Sequence, residues 1–206
     1  MALEHVPPAQ AGGHATSTGL DNTKLAMWAF LGSEFLLFGA LISTYLLYRN
    51  RVESGPFPAE VYDIPFTSVS SFVLLMSSLT MVLALAAIQR GDHHKTRVWL
   101  LATALLGMTF ISGQIYEFTV FVKEGFTVRS SPAGSAFFVL TSFHGAHVTI
   151  GILMLLSLVA LSLRGSLPQS RHTTVEYVGL YWHFVDIIWI IIFTVIYLVP
   201  SGGPAG

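Results

Sequence analysis

Five apolar runs, each long enough to cross a bilayer, decide what this chain can fold into. A helix needs about 20 residues to span the hydrocarbon core, and the runs fall at 24–48, 67–89, 97–122, 134–163 and 175–199. Inside lipid a free peptide group finds no water, so each run must close its own hydrogen bonds as a helix. The expected fold is an all-α integral membrane protein, a bundle of five transmembrane helices over residues 22–200. Composition agrees. The chain is 53% hydrophobic and only 10% charged, where soluble domains are about a quarter charged. The connectors mix charge with Gly or Pro, as in Arg49–Arg51 followed by Gly55 and Pro56, or Arg90-Gly91-Asp92. Such residues mark where a helix leaves the membrane.

The remaining bulk features are limits rather than clues. Residues 1–20 carry mostly small and polar residues with one charge, Glu4, and residues 1–21 read as a disordered N-terminal tail. Residues 201–206 read as a short C-terminal tail. No basic stretch precedes the first run, which is too long for a signal sequence, so this helix is expected to be retained. A net charge of −1 gives no argument for nucleic acid, and the absence of cysteine excludes disulfides and thiolate metal sites. With the N-terminus inside, the inner segments carry six Lys and Arg and the outer ones four. That favours a cytoplasmic N-terminus and an outside C-terminus. Trp99, near a helix end, suits an interface.

The informative residues are polar groups inside the apolar runs, because an ionised carboxylate is expensive in hydrocarbon. In the fifth span, Glu176, Gly179, His183 and Asp186 fall within about a quadrant at 100° per residue, with Trp182 and Trp189 on a neighbouring face. In the fourth, His144 and His147 lie at i, i+3, with Gly145 and Gly151 close by. The third offers Gln114 and Glu117, again at i, i+3, and the second carries hydroxyls at Ser70, Ser71, Ser77, Ser78 and Thr80. A His–Asp or His–Glu pair between the fourth and fifth spans would satisfy both groups. Three readings stand side by side: a metal site from His144, His147, His183 and Asp186; a proton or solute path; and satisfied hydrogen-bond networks that fix helix register.

Glu34 in the first span is a separate case. Leu31, Phe38, Leu41 and Tyr45 lie near its face, while Gly32, Gly39 and Ser43 form a small-residue strip almost opposite, the obvious seam for close packing. Glu34 is thus expected to meet a cavity, lipid, water or another subunit, or to hydrogen-bond an adjacent helix. No phosphate-binding glycine loop, Gly-x-Ser-x-Gly or nucleotide fingerprint occurs, and no inverted repeat points to a transporter.

The same residues carry a family resemblance. Tyr181-Trp-His-Phe-Val-Asp186-Ile-Ile-Trp189 resembles the last-helix pattern of subunit III of the haem–copper oxidases, of which cytochrome c oxidase is the type. Phe137-Phe138 to Thr141-Ser142-Phe-His144-Gly-Ala-His147-Val148 is similar to its other long signature, with Ser142 where glycine is usual. Gln114-Ile-Tyr-Glu117-Phe and Ser33-Glu34 with Phe38-Gly39 resemble two further elements, and all four come in family order. The five spans are similar to the short bacterial form, which lacks two N-terminal helices of the longer one.

The resemblance implies a non-catalytic subunit III of a bacterial aerobic terminal oxidase in the cell (inner) membrane. It would contact subunit I chiefly, with subunit II and small accessory subunits nearby. Haems and copper would sit in partner subunits and none in this chain, which would bind phospholipid. The complex would oxidise cytochrome c and reduce oxygen to water while moving protons. Glu34 would be the family's buried carboxylate, supporting proton uptake or holding a lipid site. Gln114, Glu117, His144, His147, Glu176, His183 and Asp186 would form interhelical networks, with Trp182, Trp189, Gly145, Gly151 and Gly179 as packing residues. A quinol oxidase subunit, an accessory protein of nitric oxide reductase and a small independent proton or metal transporter are the alternative readings.

Overall fold

A computed structural model describes residues 22–52, 56 and 62–199; the two expected tails lie outside the described residues. It is all-helical over that range. The helices are α1 (Asn22–Tyr48), α2 (Ile64–Gln89), α3 (His93–Lys123), α4 (Pro132–Leu163) and α5 (His172–Phe193). A 3-10 turn at Gln169–Arg171 leads into α5, and a π-helical turn at Thr194–Leu198 continues it. Among the described residues five helical segments are long and apolar enough to cross a membrane.

Three helices start several residues before their apolar cores, and the reason is capping. Asp63 accepts the Phe66 N–H at 3.1 Å, Asp92 the Lys95 N–H at 3.0 Å, and Ser131 the Gly134 N–H at 3.0 Å. Each satisfies a first-turn donor that a helix otherwise leaves free. Pro65 and Pro132 sit in first turns, where their missing N–H costs nothing. At the end of α2, Gly91 at φ 75° lets the Asp92 N–H return to the Ala87 carbonyl at 3.0 Å, and the same closure follows α3 and α4. The 32 residues of α4 extend about 48 Å against a core of about 30 Å, so this helix tilts or emerges into water.

α2, α3, α4 and α5 form the packed core, and α1 lies along α4 and α5. Trp182, fully buried, is wedged into slots made by glycines. A Cβ at Gly107 on α3 would stand 2.6 Å from its ring, and one at Gly151 on α4 2.8 Å. Its indole N–H donates to Ser77 Oγ on α2 at 2.9 Å. One side chain of α5 thus touches three helices, an arrangement that only glycine permits at both slots.

Candidate functional site

The polar residues singled out from sequence do not converge on one point. Among the described residues no three His, Asp or Glu side chains come together as a metal-binding group. His147 turns toward α1, His183 toward α2, and His144 inward, so the four-residue metal arrangement has no common centre.

Glu34 is held by the helix beside it. Its Oε2 lies 3.0 Å from His147 Nε2 on α4. His147 Nδ1 lies 2.7 Å from the Phe143 carbonyl, which accepts the ring proton, and the Tyr181 hydroxyl donates to the His147 carbonyl at 3.0 Å. A proton on Nδ1 leaves Nε2 as acceptor for a protonated Glu34; a second ring proton makes the contact an ion pair. Phe38 packs edge-on to the His147 ring at 5.0 Å. Both side chains remain partly accessible, Glu34 17% and His147 14%.

The face of α1 is therefore the reverse of the packing seam expected from its glycines. Leu31, Phe38 and Tyr45 are the buried residues of α1, and they share the Glu34 side. A Cβ built at Gly32 or Gly39 meets nothing within 4 Å. Large side chains at seven-residue spacing fill the groove between α4 and α5, so the small residues are left facing outward.

The expected histidine–carboxylate pairing between α4 and α5 is also corrected. His183 pairs with Ser78 on α2, Nδ1 to Oγ at 2.6 Å. Glu176 meets Lys24 on α1, Oε1 to Nζ at 3.6 Å. Asp186, 3% exposed, has no hydrogen-bond partner on either oxygen. Ser78 is its polar neighbour but is engaged with His183. His144 is fully buried, and neither ring nitrogen is bonded. Its ring stacks on Trp189 with centroids 4.8 Å apart and meets the edge of Phe110 at 5.9 Å. Trp189 anchors this stack by donating to Ser71 Oγ at 2.8 Å.

On α3, Gln114 donates Nε2–H to the Thr141 carbonyl of α4 at 2.8 Å and lies across Gly145, where a Cβ would come within 2.8 Å of its oxygen. Glu117 turns the other way and accepts the Thr67 hydroxyl of α2. Around that contact lie Tyr45, noted from sequence only for its place near the Glu34 face, and two aromatic residues that sequence reasoning passed over, Tyr62 and Tyr197. Tyr62 stands in the connector before α2, 4.7 Å from Tyr197 between ring centroids. Burial, followed by the neighbouring Tyr45, pushes its hydroxyl well above the usual tyrosine range. Tyr197 sits on the π-helical turn that ends the chain's last span. Periodicity gave no signal for this cluster, because its members come from separate segments of the chain.

A groove of about 600 Å³ opens between the end of α1 and the start of α4. Leu41, Ala136 and Val139 form its apolar wall; Tyr48, Arg129 and Ser131 stand at its polar end.

Comparison with known proteins shows the family. The profile of cytochrome c oxidase subunit III matches residues 6–201. The quinol oxidase subunit 3 of Bacillus subtilis (strain 168) is 39% identical over 92% of this chain and 93% of its own length. The cytochrome c oxidase subunit 3 of Bacillus sp. (strain PS3) is 38% identical, covering 95% and 94%. The cytochrome bo(3) ubiquinol oxidase subunit 3 of Pseudomonas aeruginosa (strain PAO1) is 35% identical, covering 91% and 90%.

Proposed function

This chain belongs to the cytochrome c oxidase subunit III family of the haem–copper oxidases, and on that premise we propose that it is the haem-free subunit III of a bacterial aerobic oxidase, docked mainly on subunit I in the inner membrane with its N-terminus cytoplasmic. The observation that carries the reading is the family match along nearly the whole chain, joined to five membrane-spanning helices. An independent transporter has no comparable support.

The chain's own work in such a complex is to hold a rigid bundle beside the reacting subunit. Reduction of oxygen belongs to haems and copper on partner chains. Glu34 and His147 offer a protonatable pair near the middle of the membrane, on the part of the bundle that α1 leaves partly accessible. In this role the pair supports proton uptake or the durability of the complex. The groove at the end of α1 suits a phospholipid, with acyl chains along Leu41 and Val139 and the headgroup at Arg129.

Cytochrome c is the electron donor in this proposal. Quinol is the second reading, favoured by relatives named as quinol oxidase subunits at 39% identity, against 38% for the cytochrome c oxidase relative. An optical spectrum and a donor assay of the purified complex distinguish them. Activity with reduced cytochrome c supports the first reading, and activity with quinol alone overturns it. Glu34→Ala should leave haem content intact while slowing turnover or shortening the life of the working complex. Loss of the haem signal with every subunit still assembled contradicts that assignment.

A further inference from the structure

The α2–α5 seam holds a line of polar groups that the proposed function leaves unused. Glu176, Gly179, His183 and Asp186 succeed one another on one face of α5. Glu176 stands near the membrane face where α1 and α5 begin, its side chain 32% exposed beside Lys24. Next comes a cavity of about 70 Å³ lined by Glu176, Gly179, Leu180 and His183 from α5 and by Met81, Val82 and Leu85 from α2; its walls are mostly apolar, and Glu176 and His183 are the groups that could hold water. At about 30 Å³ per water, that is room for roughly two. The His183 imidazole lines the cavity and contacts Ser78 Oγ at 2.6 Å through Nδ1. Ser78 neighbours Asp186, which is 97% buried (3% exposed) and has neither oxygen bonded.

A buried carboxyl with no partner is costly, so it calls for water or a proton. Ten residues separate Glu176 from Asp186, about 15 Å along the axis and about half the hydrocarbon core. Beyond Asp186 the line is blocked. Trp189 is clamped by Ser71, stacked on His144 and met by Phe110 at 4.8 Å. The charged and titratable groups along the seam are Lys24 from α1, Glu176, His183 and Asp186 from α5 and His144 from α4, with Ser78 contributed by α2.

We propose that this seam is a hydrated proton well open at one end, in which cavity water, His183 and Ser78 pass protons between the Lys24 face of the membrane and Asp186. The imidazole takes a proton from cavity water and releases its Nδ1 proton to the Ser78 oxygen. The Ser78 hydroxyl proton passes to the Asp186 carboxylate. One carboxylate becomes a carboxylic acid, bulk water loses one proton, and the imidazole ends as its other tautomer. Because the aromatic plug stops the line at mid-membrane, the well stores a proton without leaking it across.

The test is infrared difference spectroscopy on the assembled complex in membranes. The wild type should show a carboxyl band that Asp186→Asn removes and that shifts when the sample is moved into D2O. Gly179→Leu, which fills the cavity where a Cβ already comes 3.2 Å from Met81 Cε, should slow that shift. Ser78→Ala should slow it too, each on the order of tenfold, the cost of about one unmade hydrogen bond in the relay. A wild-type complex with no such exchangeable band overturns the proposal, as do equal exchange rates in all three proteins. A high-resolution map of the unmodified complex gives a check that needs no variant: ordered water beside His183 supports the well, and a dry cavity overturns it.

Discussion

Glu34 and Asp186 are both carboxylates placed near the middle of membrane helices, and the fold treats them in opposite ways. Glu34 lies on the most weakly covered helix, remains partly accessible, and is bonded to His147. Asp186 lies on the most covered one, is buried, and has neither oxygen hydrogen-bonded. Burial and satisfaction are separate properties. A helix at the rim can swing its charge against a neighbour's histidine. A helix at the centre accepts the partners that close packing leaves: on α5 the tryptophans took Ser77 and Ser71, and His183 took Ser78, the serine beside Asp186.

The largest test of this contrast is aimed at the centre. Trp182→Ala removes a fully buried indole that fills two glycine slots, and should cost roughly 3–5 kcal/mol. Thermal unfolding of the complex in detergent, read as early release of this subunit, measures it; retention equal to wild type would show that the α5 core is not what holds the bundle.

Next come the carboxylates themselves. Glu34→Ala orphans the His147 nitrogen and should lower stability by about 1–3 kcal/mol, whereas Glu34→Gln, which keeps a hydrogen-bonding head, should cost less. Asp186→Asn removes no hydrogen bond and should be near neutral or stabilising. If the two single variants destabilised equally, the distinction between a satisfied and an unsatisfied carboxyl would collapse. A double-mutant cycle over Glu34 and His147 should show coupling.

Ser78→Ala follows, at about 1 kcal/mol, because it unbonds His183. Subunit retention across a detergent series reads this effect.

The smallest effect sits outside the membrane. The Lys95 backbone N–H, with its ammonium 3.1 Å away, holds the Asp92 carboxyl below its ordinary range. A lowered folded-state value means that this cap stabilises α3 above pH ~3.9, the unfolded value, and loses that contribution as pH falls through the folded one. Asp92→Asn should flatten the acid limb of the stability curve while leaving neutral pH nearly unchanged. An unchanged acid limb contradicts the cap.

Much of the fold was legible in the chain because hydrocarbon enforces a simple rule. Twenty or so apolar residues in a row must be helical, and charged breakers must lie between them. The ends were less legible: helices ran past their apolar cores wherever Asp63, Asp92 or Ser131 could cap an extra turn. Helical periodicity also placed Glu176, His183 and Asp186 on one face. It could not say what stood opposite. The histidine–carboxylate pairing expected between α4 and α5 became pairs with α1 and α2, and the tyrosines around Glu117 gave no pattern at all because separate segments of the chain bring them together.

The sequence by itself thus determined the class, the five spans, the polar inventory and the family, all of which depend on local hydrophobicity and on motifs read in order. Only the tertiary structure decided the partners. Whether a carboxylate in a membrane helix is paired, hydrated or stranded depends on the helix across from it, and that is fixed by how large side chains interlock. On α1, Leu31, Phe38 and Tyr45 claimed the groove, carried Glu34 to His147, and left the glycines looking outward.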